Sequence, residues 1–345
     1  MPPPTTSPAQ PVAGSYWTDA AVRLAKGSFD TKAAAKAKKT ATAPGTYVSD
    51  LQADLIQLGY LPAKSDDGSF GEGTERAVKH FQRHAARTQR MQGGAIVTAP
   101  AWVGPVTGVV DIATAKEIRV WIDKKFSLPL GPQKIIEITG GRMRDDVAKL
   151  WDVVLDDIGK VGGALWPDGT ANKERYSDTW RNPANGFKHT GGNSRFSLHY
   201  TGRAVDLNMV LAGGKGRRWW IVKESVNAKT YWRIYCKTEK QDGSQGTKIA
   251  AKTKKYYELY KNEGEKWFPE GHYLDLTDFL STRSFERIPA QDGWENVAKK
   301  QEWWHFYYAK DIRETFGDEM EVIGYTRTQM QKFGWSDADL ETAPG

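Results

Sequence analysis

The sequence predicts an α+β protein with a small three-helix bundle in its N-terminal part and a larger, strand-containing domain after it. Apolar residues recur at helical spacing in three short segments between residues 46 and 126. Beyond residue 135 they alternate in segments such as RAVDLNM, where residues two apart share a face of a strand. With 345 residues, 39% of them hydrophobic, the chain is long enough to form two cores.

The first 45 residues differ in composition from the rest of the chain. They are rich in Pro, Ala, Thr and Lys and close with KAAAKAKKTATAPG, a composition typical of a linker. We therefore expect most of residues 1–45 to form a flexible N-terminal segment. A short helix of Tyr16, Trp17 and AAVRLAKG that docks on another part of the protein is the alternative. The bundle then begins with YVSDLQADLIQLGYL, in which Ser49 is a candidate N-cap and Gly59 ends the helix.

Two further helices, TERAVKHFQRHA and DIATAKEIRVWID, complete the bundle. The strings LQADLIQLGYL, DGSFGEGTERAVKHFQ and GVVDIATAKEI together resemble the peptidoglycan-binding three-helix module that is fused to many wall hydrolases. The resemblance covers residues 46–126 and implies peptidoglycan as a partner. The connection TQRMQGGAIVTAPAWVGPVT is longer than the module usually has, so the glycan-contacting residues are not assigned. A bundle that only packs against its neighbour is the alternative.

Composition limits the class of protein. No apolar run approaches the roughly 20 residues that cross a bilayer. The single cysteine, Cys236, allows neither an internal disulfide nor a cysteine-built metal cage, and we expect it in a buried strand. The N-terminus has neither the basic nor the apolar region of a signal peptide, so we expect a protein that is made in the cytosol and reaches the cell wall or periplasm by a route other than Sec. We also expect a monomer.

The stretch SRFSLHYTGRAVDLNM carries a candidate metal site. His199 and Asp206 are seven residues apart across a turn at Gly202, and alternation places Asp206 on a strand face with Ala204 and Asn208. A catalytic zinc ion has about three protein ligands, usually histidines and carboxylates, and keeps one position open. This pair can supply two of them.

A second candidate stretch, QEWWHFYYA, lies near the C-terminus. Glu302 and His305 are three residues apart in an aromatic run that favours a strand. On an ideal strand this odd spacing would place their side chains on opposite faces. We therefore expect Glu302 to lie in the turn before the strand, from which it can bend back towards a metal held by His305.

Together, SLHYTGRAVDL and EWWHF resemble the zinc D-alanyl-D-alanine peptidase family, whose pattern is S-x-H-x-x-G-x-A-x-D followed by E-x-x-H. The resemblance covers about residues 135–310. It implies a catalytic domain, here taken as 135–335, with a central antiparallel sheet and flanking helices. It also implies that three residues bind Zn²⁺, namely His199, Asp206 and His305, and that Glu302 is the catalytic base. Upstream, WRNPAN resembles the family's Y-R-S-P-x-x-N, which makes Arg181 the arginine that meets the substrate, although Asn182 replaces the usual serine. Further candidates for contacts with ligands or substrate are Ser197, Asn208 and Arg195.

One segment of the catalytic domain is strongly basic. Residues 211–255 contain twelve Lys and Arg against three acidic residues. Within them, RRWWIVKESVNAKTYWRIYCKTEK predicts a hairpin inserted into the domain. Its aromatic and cationic side chains could form a wall over the active-site groove that binds sugars and peptide carboxylates. A structural edge hairpin is the alternative, and a nucleic-acid partner is not expected.

These observations predict a zinc-dependent peptidoglycan peptidase, of the endolysin or antibacterial effector type, that cleaves an amide bond in the stem peptide or crosslink. A non-enzymatic, zinc-containing wall-binding protein is the alternative, and Glu302 argues against it because a scaffold needs the ligands but not the base. The residues leave open whether the bond is D,D or L,D and whether cleavage is internal or terminal.

Overall fold

The computed structural model describes residues 15–37, 40–163, 165, 176–185, 195–207, 217–258, 264–297 and 300–345. The chain divides into two compact units, with the boundary between Pro132 and Gln133. Both helices and antiparallel sheets occur, so the protein is α+β as predicted. Among the described helices, none combines the length and the apolar composition needed to cross a membrane.

The first unit consists of short helices with small sheets at its edges. Its elements in chain order are β1 (Arg23–Leu24), α1 (Thr31–Lys36), α2 (Tyr47–Gln57), α3 (Glu72–Ala85), β2 (Gln89–Gln92), β3 (Ala95–Thr98), β4 (Val110–Asp111), α4 (Ile112–Asp123) and β5 (Phe126–Ser127). The three predicted helices correspond to α2, α3 and α4, and their apolar faces meet in one core. The long connection between α3 and α4 contains the hairpin β2–β3, which pairs with β5.

The prediction of a flexible segment over residues 1–45 is wrong where the structure describes that segment. Tyr16 and Leu24 lie in the core of the first unit, and β1 pairs with β4. Asp30, rather than Ser49, caps α2: its carboxylate accepts hydrogen bonds from the N–H groups of Val48 and Ser49, both at 2.8 Å. Asp30 lies well before the first residue of α2 in the sequence, so the local sequence pattern could not reveal this cap.

The second unit contains the remaining elements, which run to the C-terminus rather than ending at residue 335. In chain order they are β6 (Ile135–Ile138), β7 (Gly141–Arg144), α5 (Asp145–Lys160), β8 (Tyr176–Asp178), β9 (Ala204–Leu207), β10 (Trp219–Val226), β11 (Lys229–Lys237), β12 (Thr247–Ile249), β13 (Lys255–Tyr257), β14 (Glu265–Trp267), β15 (Gly271–Asp275), α6 (Leu276–Ser281), β16 (Phe285–Arg287), β17 (His305–Tyr308), α7 (Phe316–Val322), α8 (Arg327–Lys332) and α9 (Asp337–Leu340).

Two antiparallel sheets of four strands organise this unit. One has the order β16-β17-β9-β8 and the other the order β10-β11-β15-β12. Both contribute to a single core, in which Val205 and Phe306 of the first sheet join Trp219 and Trp232 of the second. Helix α5 packs Trp151 into the same core. The first sheet carries both motif strands, β9 and β17.

The basic segment forms the predicted hairpin, β10–β11, with its turn at Asn227 and Ala228. It does not stand apart from the domain. Alternate residues on both strands, including Ile221 and Ile234, face the shared core, and Cys236 is buried there as expected. One face of the hairpin therefore belongs to the core of the unit. A binding role for its other face stays a prediction.

A buried ion cluster holds the motif sheet to helix α7. The Glu319 carboxylate is fully buried and accepts hydrogen bonds from Arg144 at 2.9 Å and Arg203 at 2.8 Å. Arg203 also donates to the backbone carbonyls of Tyr308, Lys310 and Asp311, the end of β17 and the residues after it. Arg203 thus connects the start of β9, the end of β17 and α7.

We expect Glu319→Ala to lower the free energy of unfolding by about 3–5 kcal/mol, because it leaves two buried guanidinium groups without their shared carboxylate. Urea unfolding followed by tryptophan fluorescence measures this change. The control is Glu137→Ala, which breaks an exposed ion pair with Arg142 in the same unit and should change stability little. Equal effects of the two substitutions would contradict the structural role of the cluster.

Candidate metal centre

The pairing register of β9 and β17 brings two of the predicted ligands side by side. Asp206 lies directly opposite His305 in the antiparallel ladder, although they are 99 residues apart in sequence. Residues opposite each other in such a ladder point to the same face of the sheet. The Nδ1 atom of His305 consequently lies 2.8 Å from Oδ1 of Asp206.

His199 reaches the same face from the turn that precedes β9. Its Nδ1 lies 2.7 Å from the backbone oxygen of Thr179, so Nδ1 carries a proton and donates it to this carbonyl. The other ring nitrogen, Nε2, lies 3.2 Å from Oδ1 of Asp206. A backbone acceptor that fixes the ring in this way is typical of histidines that bind metals.

Gly202 allows the turn between His199 and β9 to form. Its φ angle of +72° is one that residues with a side chain rarely adopt. A Cβ atom there would also lie 2.8 Å from the backbone nitrogen of Arg144, which donates a hydrogen bond to the Gly202 carbonyl. Both the backbone angle and the lack of space for a side chain therefore favour glycine at position 202.

His199, Asp206 and His305 converge closely enough to hold one ion. One ligand atom from each lies within 4.8 Å of the others. All three residues are buried, with exposed fractions of 1%, 8% and 8%. Burying three ionisable side chains together is costly unless they are paired or bind a metal.

The pKa values of these three residues, the His199–Asp206–His305 trio, reflect this arrangement. Burial favours a neutral Asp206, but the charges and hydrogen bonds of the two histidines outweigh it and hold the Asp206 pKa far below its ordinary value. Burial similarly opposes charge on His199, yet the Asp206 carboxylate raises its pKa. For His305 burial prevails, and its pKa is lowered. The centre is thus a carboxylate between two imidazoles, one of which favours the neutral form that binds metals.

Glu302 lies in a turn immediately before β17, as the spacing of the motif predicts. The turn closes by a hydrogen bond from the His305 N–H to the Glu302 carbonyl at 3.2 Å, and Glu302 has a φ angle of +56°. Trp303 and Trp304, which lie between Glu302 and His305, are buried in the core and hold the turn in place. A positive φ on a residue with a side chain is strained, and such strain is concentrated at functional sites.

The Glu302 carboxyl is partly buried and titrates near neutral pH. Burial, and secondly the negative charge of Asp206, raise its pKa from 4.5 to about 7. Nε2 of Gln291 donates a hydrogen bond to Oε1 of Glu302 at 2.6 Å. A carboxyl with a pKa near 7 can both accept and return a proton at physiological pH.

Arg181 is held at the same site by its neighbours in sequence and space. Its guanidinium pairs with the Asp178 carboxylate, and its backbone N–H donates to the His199 carbonyl at 3.2 Å. The charge of Arg181 acts on Glu302, His199 and His305. The structure therefore places the charge of Arg181 near Glu302 and the two histidines.

The remaining candidates have other contacts or lie outside the described residues. Ser197 accepts a hydrogen bond from the His199 N–H through its hydroxyl at 3.3 Å, which is a contact within the turn. Arg195 pairs with Asp339 and donates a hydrogen bond to the Gly334 carbonyl, so the C-terminal helices engage its guanidinium. Asn208 falls in the part of the chain that the structure does not describe.

Support for the His199 turn comes from the C-terminal helices, which sequence reasoning missed. Tyr200, next to His199, packs edge-on against Trp335 at 5.2 Å and joins Phe316, Met320 and Met330 in a separate apolar cluster. Helices α7, α8 and α9 build this cluster. Its apolar residues could have been read as a helical pattern, but nothing in the sequence connects them with Tyr200.

The residues present fit a zinc ion. Two imidazoles and one carboxylate form a ligand set that catalytic zinc sites use, and three protein ligands leave a position open. The Nδ1 of His199 is engaged by Thr179, which leaves Nε2 to face the trio. Divalent cation binding would displace protons shared among these side chains.

Without divalent cations, Glu302 should make stability depend on pH. The folded state favours the protonated acid, so the cost of ionising Glu302 is fully present above pH 7 and disappears as pH falls towards 4.5. In chelator at pH 8, Glu302→Gln should therefore be more stable than the wild type by on the order of 1–2 kcal/mol, after discounting for partial exposure. The two proteins should converge near pH 4.5. Urea unfolding across this range measures the difference, and a constant difference would contradict the raised pKa.

Comparison with known proteins identifies one part of the chain. A family model of a peptidoglycan binding domain matches residues 44–88, which include α2 and α3. Helix α4 lies beyond the match but shares the same core. The first unit therefore contains a peptidoglycan-binding domain, which suggests association with the cell wall. No curated protein and no solved structure matches the sequence.

Proposed function

We propose that the protein is a zinc-dependent peptidase that cleaves an amide bond in the stem peptide or crosslink of peptidoglycan. The observation that carries this proposal is the convergence of His199, Asp206 and His305 on one face of a sheet, with Glu302 in the adjoining turn. Buried ionisable groups brought together from distant parts of a chain are typical of catalytic sites.

In this proposal, His199, Asp206 and His305 hold the ion, and zinc would supply Lewis-acid activation of water and of the scissile carbonyl. Glu302 takes a proton from the attacking water and passes it to the departing amine as the C–N bond breaks. General acid-base catalysis of this kind contributes about 10²- to 10⁴-fold. The Arg181 guanidinium, fixed by Asp178, can donate hydrogen bonds to a carbonyl oxygen or a carboxylate of the substrate.

The peptidoglycan-binding domain supports a polymeric substrate. A binding domain joined to a catalytic unit raises the effective concentration of the polymer at the second site. A small diffusible peptide would gain nothing from such an anchor. We therefore propose that the substrate peptide is still attached to the wall.

The test is incubation of purified peptidoglycan with the zinc-loaded protein, followed by mass spectrometry of the soluble products. New pairs of amine and carboxyl termini are expected, and their masses identify the bond as D,D or L,D and the cleavage as internal or terminal. Unchanged fragments in the presence of bound zinc would favour a non-enzymatic wall-binding protein and overturn the proposal.

A further inference from the structure

A glutamine in the loop before Glu302 contacts the Glu302 carboxyl with its side chain. Gln291 donates a hydrogen bond from Nε2 to Oε1 of Glu302 at 2.6 Å. Gln291 is itself exposed, so little of its own side chain is held by packing. Its orientation must therefore come from the loop that carries it.

Backbone hydrogen bonds hold this loop on both sides of Gln291. The Ala290 N–H donates to the carbonyl of Thr230 in β11 at 2.8 Å. The Gln291 N–H donates to the Lys300 carbonyl, also at 2.8 Å, which ties the glutamine to the segment just before Glu302. The loop therefore connects hairpin β10–β11 with the turn of Glu302.

Trp294 anchors the same loop in the core. Its ring lies edge-on to Trp232 at 4.9 Å and to Tyr257 at 5.6 Å, and only 5% of the residue is exposed. The ammonium group of Lys223 lies 4.8 Å from the ring centre. The Trp294 N–H donates to the Gln291 carbonyl at 3.1 Å. A buried tryptophan thus fixes the backbone of Gln291 through this hydrogen bond.

We propose that Gln291 is a positioning residue that orients the Glu302 carboxyl, and that hairpin β10–β11 supports it through Trp294. This inference rests on the proposed function. It gives the basic hairpin a role different from a sugar-binding wall: two of its residues, Lys223 and Trp232, contact the tryptophan that holds the loop. A free carboxylate on a strained turn would sample several rotamers, and the amide restricts it to one.

The test compares Gln291→Ala with a matched control, Gln331→Ala. Gln331 donates from Nε2 to Asp337 at the same 2.6 Å, but between the C-terminal helices. Because Gln291 is exposed, its substitution should leave folding intact. We expect Gln291→Ala to lower kcat on peptidoglycan fragments about 10- to 100-fold, with KM within about twofold and zinc content unchanged. The control should match the wild type.

A second readout does not depend on turnover. In protein labelled with ¹³C at the glutamate carboxyl, the Glu302 signal is assigned by its loss in Glu302→Gln. Removing the Gln291 amide should move the midpoint of its pH titration upwards, since a donated hydrogen bond favours the ionised form. An unchanged midpoint would overturn the inference.

The outcomes separate this inference from the function on which it rests. If the wild type releases peptides and Gln291→Ala keeps its kcat within twofold, Gln291 does not position Glu302 and the proposed function stands. A rise in KM alone would make Gln291 a substrate contact and would also overturn the inference. If the zinc-loaded wild type releases no peptides, the proposed function fails and the inference fails with it.

Discussion

Replacing Glu302 with glutamine is expected to reduce peptide release from peptidoglycan by about 10²- to 10⁴-fold, the usual contribution of a general base. Glutamine has the same shape and can still accept the hydrogen bond from Gln291, but it cannot take a proton from water. The ligands His199, Asp206 and His305 are untouched, so zinc binding should persist. The loss would therefore lie in catalysis and not in assembly of the site.

The measurement is the initial rate of soluble muropeptide release, with zinc content determined on the same samples. Glu286→Gln, an identical substitution in β16 of the same sheet, is the matched control and should retain wild-type activity. If Glu302→Gln cleaved at the wild-type rate, Glu302 would not be the base, whatever the metal content.

Loss of the central carboxylate should strongly weaken zinc binding. Asp206 contacts both histidines, at 3.2 and 2.8 Å, and supplies the negative charge among the three ligands. Asp206→Asn keeps the volume of the side chain but replaces an anionic ligand with an amide. Loss of a residue that only contacts a metal ligand costs about 10- to 100-fold in metal affinity. Because Asp206 is itself a candidate ligand, we expect a larger fall in zinc affinity.

Titration against a competing zinc chelator at pH 7.5 measures this loss. Asp157→Asn is the control, because Asp157 lies in α5 and pairs with Lys160 and Arg283. Its zinc affinity should stay near that of the wild type. Equal affinities of Asp206→Asn and the wild type would remove Asp206 from the ligand set.

The sequence predicted those parts of the site that depend on short-range spacing. The turn at Gly202, the strand of Asp206 and the turn of Glu302 all depend on neighbours within a few residues. Sequence could not provide the register that sets His305 opposite Asp206, because hydrogen bonding between strands 99 residues apart leaves no local pattern.

Long-range support was the other part that the sequence did not reveal. Asp30 caps a helix that begins at Tyr47, and Tyr200 packs against helices beyond residue 315. Gln291 is an exposed residue in a loop, and only the structure shows that its amide meets Glu302. In each case the function of the residue comes from a tertiary contact and not from its sequence context.

The central claim is that His199, Asp206 and His305 bind a single zinc ion. Diffraction from crystals of the zinc-loaded protein, recorded at the zinc absorption edge, locates the ion by its anomalous signal. The account predicts one peak about 2.0–2.2 Å from an imidazole nitrogen of each histidine and from an Asp206 oxygen. A peak at other residues, or no peak in crystals grown with zinc, would contradict it.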